Sequence, residues 1–215
     1  MTRALPSVMA QTHKLLRVFV MIHGSSDGTE YALQNAYRSN PRVCWRDVPR
    51  RRTYPPTAEN HWYAGPVAPL NAGLDCVHGS WIARLDDDDE WFPHHLESLL
   101  DSAKSRGHEF VSSAHTTNAE KVWPYIIDGG TKIGGCQTWL YRSYLRFFRY
   151  NPDCWRKSWN KVNDTDLQDR MWRAGVRMGY LDRVTCAVNP RPGTSSIGLA
   201  AYTQNRDSVE RTYAF

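Results

Sequence analysis

No two cysteines form a CxxC pair in this chain, and its five cysteines, at 44, 76, 136, 154 and 186, are widely spaced. An odd count without such pairs argues against a disulfide scaffold and against a zinc site. Reduced thiols in a cytoplasmic compartment are the simplest account. No segment reaches the ~20 apolar residues of a membrane helix. The apolar stretch Leu15 to Ile22 is short, is interrupted by Arg17, and reads as a buried strand. The N-terminus lacks a signal-peptide pattern, so any work at a membrane is expected to be peripheral, at its inner face. A GxGxxG turn and a GxxxxGK[ST] loop are both missing. Their absence removes the dinucleotide fingerprint and the P-loop. There is no internal repeat and no low-complexity tract.

The chain has 215 residues, enough for one domain with a proper core. Hydrophobic residues at 41% and charged residues at 23% are those of an ordinary globular protein. The net charge of +5 and pI of about 9.0 suit an anionic partner: a nucleotide diphosphate, nucleic acid or an acidic membrane surface. The densest basic stretch, Arg46 to Arg52, reads equally as a solvated loop or as a contact.

Helices and strands are expected to alternate. Helix patterns cover about 4–12, 30–37, 66–78, 93–106, 142–148 and 163–174; Gly79, Gly107 and Gly175 close three of them. Strand patterns cover 15–22, 43–48, 81–85, 109–113, 123–127, 178–181 and 184–188. A Pro- and Arg-rich loop fills 49–64, and 189–198 is a Pro/Gly/Ser loop. Such alternation means an α/β fold with a mostly parallel central sheet flanked by helices. Ligands bind at the carboxyl ends of such strands. The turn at 23–29 and the aspartates at 86–89 each follow a strand, so both are expected on one edge of one sheet.

Four adjacent carboxylates, Asp86-Asp87-Asp88-Asp89, repel one another unless something positive sits among them. The run lies between Trp81-Ile82-Ala83-Arg84-Leu85 and Trp91-Phe92-Pro93, an apolar setting unlike a solvated loop. A helix cap would use one or two aspartates at most. An EF-hand reading fails because Trp91 stands where its loop needs glycine. Hard oxygen ligands with positions left for phosphate suit Mg²⁺ or Mn²⁺.

Three separated segments resemble family 2 glycosyltransferases of the GT-A fold. Arg3 to Thr12 and Gly24-Ser25-Ser26-Asp27-Gly28-Thr29 resemble the first helix and the first nucleotide-side turn. Asn71-Ala72-Gly73, then Gly79 to Leu85 and Asp86 to Pro93, resemble the helix, strand and DxD motif. Asn163-Asp164-Thr165-Asp166-Leu167-Gln168-Asp169-Arg170 resembles the late acidic motif on the acceptor side. The resemblance implies a Rossmann-like nucleotide-sugar half, 1–90, and an acceptor half, 91–215, within a single domain. It implies Asp86 and Asp88 as metal ligands for Mn²⁺ or Mg²⁺, Asp87 either facing the ribose or serving structure, and Asp89 behind them. His23, Ser25, Asp27, Asn71, Asp86, Asp87, Gly134, Gly135 and Arg191 would meet the nucleotide sugar. Asp164 would be the general base, its alternative being a cap of its own helix. Gly134-Gly135 reads either as a close approach to ligand or as an ordinary turn, and Trp155 and Trp159 either stack on sugar or pack in the core.

The implied reaction transfers sugar from a nucleoside-diphosphate sugar to a glycan, lipid-linked or protein acceptor, with inversion; nucleic acid is not an implied partner. Two features depart from the family. Met1 falls inside the first helix, so the family's first strand and its Pro-Thr-Tyr-Asn-like loop are expected to be missing. Ile22-His23 stands where the family carries an Asp-Asp pair that reads the base. A retaining transferase, a nucleotidyltransferase, and a domain that binds nucleotide or glycan without turnover stay open as alternatives.

Overall fold

The computed structural model describes residues 3–50, 53–156, 161–190 and 198–212. Its first elements are α1 (Ala4–Met9), β1 (Val18–Ile22), α2 (Thr29–Tyr37), β2 (Val43–Asp47), α3 (Ala58–Ala64) and α4 (Val67–Cys76). Then come β3 (Trp81–Ala83), β4 (Glu90–Trp91), α5 (His95–Arg106), β5 (Phe110–Thr117), β6 (Glu120–Val122), β7 (Tyr125–Ile127), β8 (Thr131–Ile133) and β9 (Leu140–Arg142). The last are α6 (Asn163–Arg173), β10 (Met178–Val188), α7 (Gly198–Gln204) and α8 (Arg206–Thr212). The chain groups into two compact units. One holds Met1–Leu15, Gly79–Leu145 and Met171–Ile197; the other holds Leu16–His78, Arg146–Arg170 and Gly198–Phe215.

The first unit is built on a six-stranded sheet of order β3-β9-β5-β10-β4, with β6 paired to the end of β5. Strand β5 lies between β9 and β10, and its first six residues are buried. Burial on both faces explains why Phe110, Val111 and Ala114 replace a simple alternation. Ser112 and Ser113 tolerate that burial because each is hydrogen bonded: Gly134 N–H donates to Ser112 Oγ at 2.9 Å, and Ser113 Oγ meets Thr185 Oγ1 at 2.6 Å. Helix α5 lays Leu96, Leu99, Leu100 and Ala103 against β5 and β10. Their i, i+3, i+4, i+7 spacing makes one apolar stripe, and Gly107, at φ +67°, ends the helix. Phe110 meets Trp139 edge to face at 5.1 Å beneath this layer.

Strand directions are mixed rather than mostly parallel. Only β5 with β10 runs parallel in the first unit; its other described pairs, including the separate ribbon β7–β8, are antiparallel. For β5–β6 and β7–β8 the cause is connection length, since two- or three-residue turns build hairpins and cannot make a crossover. The turn Asn118-Ala119, with φ of +51° and +65°, joins β5 to β6 in this way and carries β5 four residues beyond its expected end. The two late strand patterns are one strand, β10, with irregularities around Val184.

The second unit contains the parallel pair β1–β2, with α4 packed on β1. Helix α3 lies inside the expected 49–64 loop, capped by Thr57, whose hydroxyl accepts from Asn60 N–H at 3.2 Å. Ala58 and Trp62 of α3 pack with Tyr202 of α7 and Val209 of α8. Helix α4 stops at Cys76, before Gly79. The expected helix at 142–148 is a 3-10 turn, Ser143–Phe147. Strand β1 belongs to the two-stranded sheet and β3 to the six-stranded one. The turn after β1 and the aspartates after β3 therefore do not share one sheet edge.

Candidate functional site

In the first unit, the residues after β3 make a tight turn in which Asp89 N–H reaches back to the Asp86 carbonyl at 3.3 Å. Asp87 points outward, Asp86 and Asp88 are half-buried, and Asp89 is buried. Burial, followed by the nearby charges of Asp86 and Asp88, pushes the Asp89 carboxyl up to about 8. Three carboxylates thus crowd one strand end. Arg84 is a counter-charge that the sequence reading passed over, and its guanidinium grips both oxygens of Asp86 at 2.9 and 3.1 Å. Asn189, just past β10, is the second such residue. Its backbone N–H donates to the Asp89 carboxylate at 3.1 Å, and its side-chain amide donates to the Asp88 carbonyl at 3.0 Å.

Trp91 fixes the far side of this turn. Its indole donates to the Gln137 carbonyl at 2.7 Å, and its ring stacks on His95 at 4.4 Å. His95 is fully buried and meets Thr185 Oγ1 at 2.7 Å. Desolvation pushes its imidazole down to about 3, so it stays neutral.

Among the described residues no group of three or more His, Cys, Asp or Glu side chains is arranged to hold a metal ion. The donor set is nonetheless one of hard oxygens in mutual repulsion, and Asp86 is partly neutralised by Arg84. It fits a Mg²⁺ or Mn²⁺ completed by substrate phosphate, and it does not fit a closed protein cage. Gly134 is buried and turned toward β5: a Cβ there would stand 2.0 Å from the Ser113 carbonyl oxygen. Its need for glycine is thus met by packing. A Cβ on Gly135 would meet the Gln137 side chain first, at 2.9 Å. Arg191 and Trp159 lie outside the described residues.

In the second unit, the β1 turn carries His23, Ser25 and Asp27. The parallel register sets Ile22 beside Asp47, so the ends of β1 and β2 lie together. Gly24 N–H donates to Asp47 Oδ1 at 3.3 Å, and Arg50 Nε donates to the His23 carbonyl at 2.9 Å. Asp47 and Arg50 were not singled out from sequence, although two consecutive parallel strands imply that their ends meet. Gly24, at φ +57°, lies against Arg50, whose Cγ a Cβ would approach to 2.8 Å. Burial, then the Arg50 charge, lowers the His23 pKa. Ser25 is exposed. Asp27 accepts from the N–H and hydroxyl of Thr29 at 3.0 and 2.6 Å, which tethers it to the start of α2 and lowers its pKa.

Asn71 on α4 is bound on both sides by main chain, its amide donating to the Tyr150 carbonyl and accepting from Tyr150 N–H, each at 2.9 Å. Arg149 reaches Asp75 and the Asn71 carbonyl, both at 2.6 Å, and its own carbonyl accepts from Arg170 at 2.6 Å. Asp166 holds Arg170 at 2.8 Å. The start of α6 is thereby fastened through Arg149, with Asn163 donating to the Tyr63 carbonyl at 2.9 Å. Asp164 sits in that first turn, half-buried, and accepts from Thr165 N–H at 2.7 Å. The Arg156 guanidinium covers the Trp155 ring at 4.6 Å, which takes one of its faces.

The family model described as "Glycosyl transferase family 2" matches residues 1–164. The chain belongs to glycosyl transferase family 2. Among family members of known sequence, it is 29% identical over 101 residues to GalNAc(5)-diNAcBac-PP-undecaprenol beta-1,3-glucosyltransferase of Campylobacter jejuni. It is 31% identical over 105 residues to the succinoglycan biosynthesis protein ExoO of Rhizobium meliloti. These stretches cover 47% and 49% of this chain but only 29% and 26% of those relatives, so the chain matches well under a third of their length. Among solved structures, S. aureus TarS 1-349 in complex with UDP superposes with a TM-score of 0.63 at 16% identity. The match covers 99% of this chain and 65% of that one. The same TarS fragment with UDP-GlcNAc gives 0.60 at 14% identity, over 92% and 56%. The family 2 domain therefore has the GT-A fold.

Proposed function

We propose that this family 2 domain moves a sugar from a nucleoside-diphosphate sugar to a hydroxyl of a glycan or lipid-linked acceptor, inverting the anomeric centre in a single displacement. The acidic turn carries the reading: Asp86, Asp88 and Asp89 crowd one strand end inside the family-matched residues. Asp86 and Asp88 would hold Mg²⁺ or Mn²⁺ jointly with the donor's diphosphate oxygens. When bound, the ion supplies charge neutralisation for the departing diphosphate. Asn189 and Asp89 keep the turn in shape. His23, Ser25 and Asp27, with Asp47 and Arg50 beside them, would line the nucleoside. Asp164 would accept the proton of the attacking acceptor hydroxyl, held in place by the anchored start of α6.

A nucleotide-sugar donor gains support from the UDP and UDP-GlcNAc of the TarS structures. A lipid-linked acceptor gains support from the undecaprenol in the name of the Campylobacter relative. No helix among the described residues is long and apolar enough to cross a membrane; the contact proposed for these residues with a membrane-borne acceptor is peripheral.

The test is a thermal-shift screen of nucleotide sugars with and without Mn²⁺, since a ligand that binds only the folded state raises its melting point. Asp88→Ala should abolish the Mn²⁺-dependent shift. Asp164→Asn should keep the shift and lose transfer, and NMR of the product should show an inverted anomer. Binding and turnover that survive Asp88→Ala in the presence of chelator would refute the metal role. Full transfer by Asp164→Asn would refute the base.

A further inference from the structure

Three large apolar side chains stand in water within four residues of one short ribbon: Trp123, Tyr125 and Ile126 are 74%, 64% and 69% exposed. Tyr125 and Ile126 belong to the β7–β8 ribbon of the first unit, where Tyr125 pairs with Ile133 and Ile126 with Lys132, and Trp123 lies two residues before β7. Side chains alternate along a strand, so Tyr125 and Ile126 leave the ribbon on opposite faces. None of the three has a part in the proposed chemistry.

Their shape and chemistry select the occupant. Together they expose roughly 450 Å² of mostly apolar surface, the size of a functional patch but about half of what each side of a stable protein interface buries. A rigid partner covers one face of a ribbon, whereas a fluid one surrounds both. A sugar would stack on Trp123 or Tyr125 but would gain little from the aliphatic Ile126, which only an apolar neighbour relieves of water. Trp and Tyr beside Lys mark a chain at a membrane–water interface. Lys121 lies 5.2 Å over the Trp123 ring and pairs with Asp182 at 2.6 Å; Lys132 stands opposite Ile126. Glu120 adjoins Lys121, whose charge is met by Asp182 at 2.6 Å, so the attraction is apolar rather than ionic.

We infer that the β7–β8 ribbon is a bilayer-docking element that seats Trp123, Tyr125 and Ile126 among lipid headgroups. The inference rests on the peripheral-membrane part of the proposed function and assigns it a surface. The two strands pair with each other, and at headgroup depth water still serves their outer edges, so no backbone group enters hydrocarbon unpaired.

Co-sedimentation of the full chain with phosphatidylcholine vesicles, and with vesicles containing one-third phosphatidylglycerol, tests the inference. The wild type should pellet with both, within a few-fold, and raised salt should change little. The combined variant Trp123→Ser, Tyr125→Ser, Ile126→Ser should lower partitioning by at least ~10-fold. Its melting point and its nucleotide-sugar thermal shift should be unchanged, so a failed donor screen and failed docking are read separately. If the triple variant does not fold, Trp123→Ser alone should still lower partitioning several-fold. A wild type that stays in the supernatant, or a variant that pellets equally, overturns the inference. So does a patch whose loss instead abolishes self-association in light scattering or binding of a soluble oligosaccharide.

Discussion

Acid should weaken this protein through His95 more than through any exposed histidine. The imidazole is fully buried, stacked on Trp91 and bonded to Thr185, and desolvation lowers its pKa from 6.5 to about 3. The unfolded chain takes up its proton near 6.5 and the folded chain does so only near 3, so acid favours the unfolded state. This contribution is fully present above pH 6.5 and is lost as pH falls toward 3. At pH 5 the folded ring is still neutral, while the unfolded ring lies 1.5 units below its own pKa. The loss is then about 2 kcal/mol, at 1.36 kcal/mol per unit. The perturbation is His95→Leu, which removes the titrating group while Thr185 keeps Ser113 as a partner at 2.6 Å. Loss of the Thr185 bond and the Trp91 stack should lower stability at pH 7.5 by about 1–2 kcal/mol. The variant should escape the acid loss, so the two stability curves should converge and cross between about pH 6 and 5. Urea unfolding followed by tryptophan fluorescence from pH 7.5 to 4.5 measures both curves. His23, His108 and His115 also have lowered pKa values, but they act equally in both proteins and cancel in the difference. Parallel curves would show that His95 does not carry the acid sensitivity.

Asn189→Ala removes the bond to the Asp88 carbonyl but keeps the backbone bond to Asp89. It should weaken Mn²⁺ binding in the presence of UDP by about 10-fold or more, with a stability loss near 1 kcal/mol; calorimetric titration with unchanged affinity would count against the clamp. Ala119→Gly relieves a left-handed alanine in the β5–β6 turn and should stabilise by about 1 kcal/mol, measured as a rise in melting temperature. Asn71→Ala leaves both main-chain groups of Tyr150 without their partner and should cost about 2–3 kcal/mol. If stability holds while donor affinity falls, Asn71 is a ligand residue rather than a fastener.

Much of the site was readable because its signals are local. The acidic run, the apolar strand before it and Trp91-Phe92-Pro93 after it lie within 13 residues, 81–93, and the structure keeps them as strand, turn and strand. Helix α5 was readable from its four-residue apolar stripe and its closing glycine. Features that depend on distant partners were not. Asp47 and Arg50 matter because β2 lies parallel to β1, and the basic composition of 46–52 concealed them. Helix α3 begins at Thr57 amid prolines that suggested loop, and its apolar face is set by α7 and α8, more than 130 residues later. The mostly parallel sheet was overstated because β9 and β4 take partners far away in sequence, and because Asn118-Ala119 lacks the glycine that usually announces a tight hairpin. Arg84 was read only as part of a strand, yet its charge answers Asp86 two residues on.

The Asn189 clamp bears on the order of folding. Its bonds to Asp89 and Asp88 join residues 100 and 101 positions apart. Contacts that distant close late, because a long loop must be drawn in before they contribute. The four aspartates leave the ribosome early, while the residue that shapes them emerges about a hundred codons afterwards. A growing chain therefore carries its acidic turn unformed until β10 has docked beside β5, and the shape of that turn is among the last properties that folding confers.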